Sequence, residues 1–225
     1  MDRLHRTRIL FGNDGIAKLK RASVMVVGCG AVGSFAIEAL ARTGVGNLIL
    51  VDFDKVEETN INRQLYALGS TIGKNKVDVA AARIVDINPE IRVNPINLFF
   101  DAETNLNEAP DFVIDAIDSV PSKIALYKWC IERNIPFVAS MGAARKQDPQ
   151  QIKLDKLSKT KVCPLASKIR KLARQENLID FDVVYSTELP NKNFGSTGEF
   201  GSVITVTGTF GLLLANYVIN RVMLS

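Results

Sequence analysis

The chain has 225 residues, 47% hydrophobic and 23% charged, enough for one buried core and too apolar for intrinsic disorder. Its three cysteines, Cys29, Cys130 and Cys163, form no CxxC pair and no even disulfide set; with a single histidine they exclude a zinc ribbon and suit a reducing cytoplasm. The net charge of +4 is unevenly placed: eight basic residues between Lys153 and Arg174 face one acid, Asp155, a local +7 that leaves the rest of the chain near −3.

Residues 1–12 are broken by Arg3, His5, Arg6 and Arg8 and lack the apolar stretch of a signal peptide. An apolar run at 24–28 leads into Gly28-Cys29-Gly30-Ala31-Val32-Gly33, and a helical pattern follows over 34–42 until Gly44 and Gly46 stop it. Residues 48–51 read as a buried strand ending at Asp52, completing a βαβ unit. After a loop over 54–73, the pattern predicts helices at 74–88 and 122–134 and strands at 91–96, 112–115 and 136–140. This alternation defines an α/β class, a doubly wound, Rossmann-like, mostly parallel sheet.

Beyond Gly142 the rhythm changes. A short strand at 152–154, a basic helix opened by Pro164 and a strand at 183–186 form a C-terminal strand/helix extension. The polar, glycine-rich stretch 191–201 reads as a mobile loop. Residues 203–224 are strongly apolar, but Thr205, Thr207, Thr209, Asn216, Asn220 and Arg221 make a buried helix the better reading than a membrane span. The chain is thus expected to be a single domain over 1–225, with a nucleotide-binding core at 1–141 and a substrate-side extension at 142–225.

The glycine motif, between strand and helix, suits a phosphate: Gly28, Gly30 and Gly33 permit a tight turn that points backbone N–H groups at an anion. Asp52, 19 residues beyond Gly33, is placed to accept ribose hydroxyls. NAD-dependent redox chemistry fits equally well to this point. The following residues favour a triphosphate. Asn60-Ile61-Asn62-Arg63-Gln64 brings amides and an arginine, Lys76 opens the next helix, and Asp118 follows the strand ending at Asp115. Fixed cations stabilise a departing pyrophosphate, and Asp118 is placed to hold magnesium. Taken singly, Arg63 and Lys76 read as surface charges.

Together, Gly28 to Gly33, Val51-Asp52-Phe53-Asp54, the Asn60–Gln64 run, Lys76 and Asp115-Ala116-Ile117-Asp118 resemble the adenylating enzymes related to ubiquitin activation, which include the activators of sulfur carriers. The resemblance implies an acyl-adenylate chemistry with ATP and Mg2+, adenosine and ribose contacts at Asp52, Asp54 and Asn60, phosphate contacts at Arg63, Gln64 and Lys76, and metal at Asp118. It also implies that Arg6 reaches the ATP of a partner subunit, so that the active unit is a homodimer.

The second half lacks the CxxC pairs usual in sulfur-carrier activators. Lys159-Thr160, Pro164-Leu165-Ala166, the Tyr185-to-Glu188 piece and the Val206-to-Gly211 piece resemble instead the bacterial tRNA threonylcarbamoyladenosine dehydratases. That resemblance implies tRNA as substrate, for which Lys168, Arg170, Lys171 and Arg174 offer a basic footprint. Cys163 reads as a packed residue at a helix start, with no titratable base fixed beside it by sequence; Cys130, beside Trp129, reads as core. A sulfur-relay partner is left open by the sequence. So are two other classes, an activator of a ubiquitin-like sulfur carrier and an NAD-binding oxidoreductase or non-catalytic nucleotide-binding scaffold.

Overall fold

The computed structural model describes residues 2–191 and 200–224. Most of the stretch expected to be a mobile loop, 192–199, lies outside the described residues. Seven strands form one sheet in the order β3-β2-β1-β4-β5-β7-β6: β1 Ser23–Val27, β2 Asn47–Asp52, β3 Arg92–Asn97, β4 Phe112–Asp115, β5 Phe137–Ser140, β6 Ile152–Lys156 and β7 Asp182–Ser186. All neighbours run parallel except β6 against β7.

Strand alternation divides the interior into two cores. Val24, Val26, Leu48, Leu50, Ile114, Val138 and Val184 point to one face, and Met25, Val27, Ile49, Val51, Val113, Ala139 and Val183 to the other. The first face is covered by α2 (Gly33–Thr43), α3 (Lys76–Ile87) and α6 (Ile204–Leu224); the second by α4 (Val120–Glu132) and α5 (Pro164–Gln175). The helix starts and stops follow local chemistry. Gly44, at φ +98, closes α2 with its N–H on the carbonyl of Leu40, and proline occupies the first turn of α4 and of α5.

The apolar C-terminal stretch is a core helix, and no described helix is long and apolar enough to cross a membrane. It lies across α2 because Gly208 and Gly211 face it. A Cβ at 211 would stand 2.3 Å from the carbonyl oxygen of Val32, and one at 208 would stand 3.2 Å from the ring of Phe35. The extension at 142–225 therefore supplies two strands to the common sheet and the largest helix of the first core.

The sequence pattern showed no element before residue 24, yet the structure has a helix, α1, over His5–Arg21, kinked at Gly12. Only Gly15, Ile16 and Leu19 are buried along it, too few to register as a period. Tertiary contacts hold it instead: Leu4 packs beneath Gly44, Arg3 donates to the last carbonyls of α3, and Lys18 donates to Met223 O near the end of α6.

The glycine turn is set by close backbone approach. Gly28 stands at φ +94, with an added Cβ only 2.6 Å from Ala116 O; at Gly33 a Cβ would lie 1.7 Å from Gly28 O. Backbone cannot move aside as a side chain can. Gly33→Ala should therefore lower the melting temperature by about 5 °C or more, from an overpacking cost of at least ~1–3 kcal/mol. Gly69→Ala, with nothing within 4 Å of its Cβ position, should leave the thermal unfolding curve where it is.

Candidate nucleotide-binding site

The strand order reverses between β1 and β4, and the crevice beyond the carboxyl ends of such strands is where α/β sheets bind ligands. A cavity of about 670 Å³ opens there. Its wall brings together Gly28, Gly30, Asp52, Asp54, Asn60, Arg63, Gln64, Lys76 and Asp118. Of the residues expected at the nucleotide, Gly33 is placed elsewhere: it sits beneath the turn, where it allows α2 to meet β1. Arg6, expected to reach a partner subunit's nucleotide, is exposed on α1.

Asp52 anchors the turn. Its Oδ2 accepts the N–H of Cys29 at 2.6 Å and its Oδ1 accepts that of Asp54 at 2.8 Å. Burial raises its pKa above the ordinary carboxylate value, against the downward pull of those two N–H groups and of Lys76. Lys76, almost wholly buried, pairs with Asp54 at 2.7 Å. Asn60 is buried and closes a capping box with Glu57, whose N–H it accepts at 3.2 Å. Gln64 stands over Gly30. Arg63 lines the cavity, and one guanidinium nitrogen donates to Thr59 O and Asn62 Oδ1, both at 2.8 Å. The carboxylate of Asp118 is exposed and makes no hydrogen bond or ion pair among the described residues.

Sequence reasoning missed the support beneath Asp118. Asp115 is fully buried, and its Oδ2 accepts from Lys123 Nζ at 2.7 Å and from Tyr127 Oη at 2.5 Å; Lys123 also donates to Ser140 O at 2.7 Å. Burial, with Asp115 adding to it, pushes the Tyr127 phenol well up. The signal was a Lys–Tyr pair at i, i+4, which places both on the same face of an otherwise apolar helix. An exposed edge-to-face pair, Phe53 and Phe99, at 4.8 Å between ring centroids, also escaped notice at the Asp52 end.

The other end of the cavity is formed by 140–146 and the start of α5. Cys163 caps α5, its Sγ accepting the N–H of Ala166 at 3.5 Å, and it is buried. Contrary to expectation a basic group does adjoin it: Lys146 lies close enough for the two to interact electrostatically. Cys130 is core, as read.

From this end α5 carries Lys168, Lys171 and Arg174 on its exposed face. Arg170 does not belong with them. It falls between the exposed and buried faces and turns inward, donating to Leu157 O at 3.3 Å and Thr160 O at 2.8 Å. Its charge fastens the 157–159 turn.

A glycine turn opening a helix, an acid at the end of the next strand and cations around a cavity at the sheet's switch point define a nucleotide-binding α/β protein. The ThiF family model matches residues 4–224, and the chain belongs to the ThiF family. It is 46% identical to the tRNA threonylcarbamoyladenosine dehydratase of Bacillus subtilis over 82% of this chain and 74% of that one. It is similar to the crystal structure of the E. coli tRNA N6-threonylcarbamoyladenosine dehydratase in complex with ATP, with a TM-score of 0.92, 37% identity, and 99% and 94% of the two chains covered. The E. coli molybdopterin-synthase adenylyltransferase is 39% identical, over 67% of this chain and 61% of that one.

The state of Asp52 carries a pH signature. A raised pKa means that the carboxylate able to accept ribose hydroxyls is lost as pH falls, before the ordinary carboxylate range is reached. The ratio of wild-type to Asp52→Asn affinity for AMP should therefore shrink, in calorimetric titrations, as pH falls toward the ordinary carboxylate range and before reaching it.

Proposed function

We propose that this chain activates the carboxylate of threonylcarbamoyladenosine in tRNA as an acyl-adenylate and closes it to the cyclic form with loss of water. One observation carries the reading. A single cavity joins the glycine turn, Arg63, Lys76 and Asp118 at one end to the start of a basic helix at the other. A carboxylate oxygen attacks the α-phosphorus and pyrophosphate leaves with the bridging oxygen, its charge met by Arg63 and Lys76. The neighbouring carbamoyl group then displaces AMP from the acyl carbon and gives up a proton. Because the second nucleophile already belongs to the substrate, positioning is most of what the protein has to supply.

Asp118 fits a magnesium ion carried in by the phosphates, since its carboxylate is exposed and unengaged among the described residues. No group of three or more His, Cys, Asp or Glu among those residues could hold a resident ion. When bound, magnesium would neutralise phosphate charge. Lys168, Lys171 and Arg174 favour RNA: α5 starts at the cavity, and at 1.5 Å per residue Arg174 lies about 15 Å along it. Arg6 shares the exposed side of α1 with Ile9 and Leu10, which are 67% and 75% exposed. A second copy covering that helix would bring Arg6 to its partner's nucleotide, so a homodimer is part of the proposal.

The alternative, activation of a sulfur-carrier protein, draws on the similarity to the molybdopterin-synthase adenylyltransferase and on Cys163 at the cavity. Nucleoside mass spectrometry separates the two. Incubated with Mg-ATP and tRNA bearing threonylcarbamoyladenosine, the protein should remove one water from that nucleoside. Arg63→Ala should lower the rate by about 10²-fold or more, and Cys163→Ser should stay active. An unchanged nucleoside, with pyrophosphate released only when a sulfur carrier is added and only if Cys163 is intact, would establish the alternative.

A further inference from the structure

The cavity extends beyond the part that a nucleotide fills. Asp52 ends β2 and Ser140 ends β5, three positions apart in the sheet, so at about 4.8 Å per strand they are roughly 14 Å apart. With ribose at Asp52 and phosphates over the turn between β1 and β4, the β5 end is where an acyl group facing the α-phosphate stands.

Lys76, Lys123 and Lys146 are each buried. Asp54 answers Lys76 and Asp115 answers Lys123, both at 2.7 Å. Lys146, 3% exposed and on the cavity wall, has no carboxylate in ion-pair distance among the described residues. Its Nζ donates to a neutral group, the backbone carbonyl of Glu188. The carboxylate of Glu188 accepts the N–H groups of Gln147 and Asp148 at 3.0 Å and acts on Lys146 as a nearby charge, not as an ion-pair partner. A buried ammonium is normally paired; this one has no ion-pair partner among the described residues, and it lines the cavity.

The local backbone is built to deliver it. Two of the four non-glycine residues at positive φ among the described residues are Arg145, at 65°, and Val162, at 68°. They immediately precede Lys146 and Cys163, both of which line the cavity. For such residues the left-handed region is strained, and the strain persists where the surroundings over-determine it. The N–H of Arg145 donates to Gly201 O and its carbonyl accepts from Asn191, both at 2.8 Å, which holds the turn.

We propose that Lys146 binds the carboxylate of the acyl substrate and aims it at the α-phosphate, and that Glu188 is the residue that positions Lys146. The assignment rests on the adenylation reading and adds the group that selects a carboxylate. Lys146 forms and breaks no covalent bond: it pairs with the carboxylate before attack and stays an ammonium as the oxygen joins phosphorus. Burial lowers its pKa, while Cys163 and Glu188 oppose that shift and Arg145 adds to it. A bound carboxylate would restore the charged form.

The test uses an anticodon stem-loop RNA carrying threonylcarbamoyladenosine and the same RNA with plain adenosine, bound in the presence of the non-reacting analogue AMP-CPP. The wild type should prefer the modified RNA by about tenfold or more, the value of one charge-assisted contact. Lys146→Met should abolish that preference while keeping its affinity for AMP-CPP and for plain RNA. Lys146→Arg should retain part of it, and Glu188→Gln should reduce it part-way. A wild-type preference in Lys146→Met overturns the assignment. Should that variant fail to bind AMP-CPP, the wild type decides: its preference must decline with rising pH before the ordinary lysine range, and a flat profile overturns the proposal. A wild type that removes no water from the modified nucleoside contradicts the dehydratase reading; one that does, with Lys146→Met equally active, contradicts the role of Lys146 alone.

Discussion

The site depends on one buried ammonium, that of Lys123. With no exposure, it joins the end of β4, through Asp115, to the end of β5, through Ser140 O, and Tyr127 completes the arrangement from the same helix. Those strand ends lead directly into Asp118 on one side and into the 140–146 wall on the other. Lys123 thus adds a buried ionic tie between two strand ends that the sheet already pairs, beneath the two ends of the cavity. Breaking such a pair by removing one partner costs about 3–5 kcal/mol, because the other charge stays buried and unanswered. The exposed pairs, such as Lys20 with Glu90 at 2.7 Å, stand in water and contribute little by comparison.

Around that anchor the protein keeps several groups in states that favour a ligand over the empty fold. Burial raises the pKa of Asp52, so the native state holds its proton more tightly than the unfolded chain. By linkage, its contribution to stability falls as pH rises from the ordinary aspartate value through the raised one, and at neutral pH the ionised group is a net cost. Lys146 is its mirror image: a base with a lowered pKa costs stability where it is charged, below that pKa, and the cost fades above it. Arg145 and Val162 add backbone strain at the same wall. A bound nucleotide and a bound carboxylate would each relieve one of these terms.

Much of the fold was legible because the determinants are local. Apolar runs of four to six residues alternate with amphipathic helices, and glycine and proline mark their ends. At the cavity, Gly28 and Asp52 were legible from the spacing of one βαβ unit, whereas Asn60, Arg63 and Lys76 lie beyond it and stood out only through the family resemblance. The helix at 5–21 was hidden because few of its residues are buried and its stability comes from contacts with α3 and α6. Lys146 and Glu188 were hidden because they lie 42 residues apart and meet only through the fold. Arg170 was misplaced because a charge count does not distinguish a solvated face from a side chain turned onto nearby carbonyls.

If a substrate carboxylate becomes an acyl-adenylate at this cavity, one of its oxygens must end in AMP. The most direct test is to follow oxygen, using threonylcarbamoyladenosine in tRNA with 18O in its carboxylate and analysing the spent nucleotide by mass spectrometry after turnover. Attack on the α-phosphorus, followed by closure of the ring, leaves one labelled oxygen in AMP and none in pyrophosphate. Label appearing in inorganic phosphate alongside ADP, or retained entirely in the nucleoside, would contradict the account.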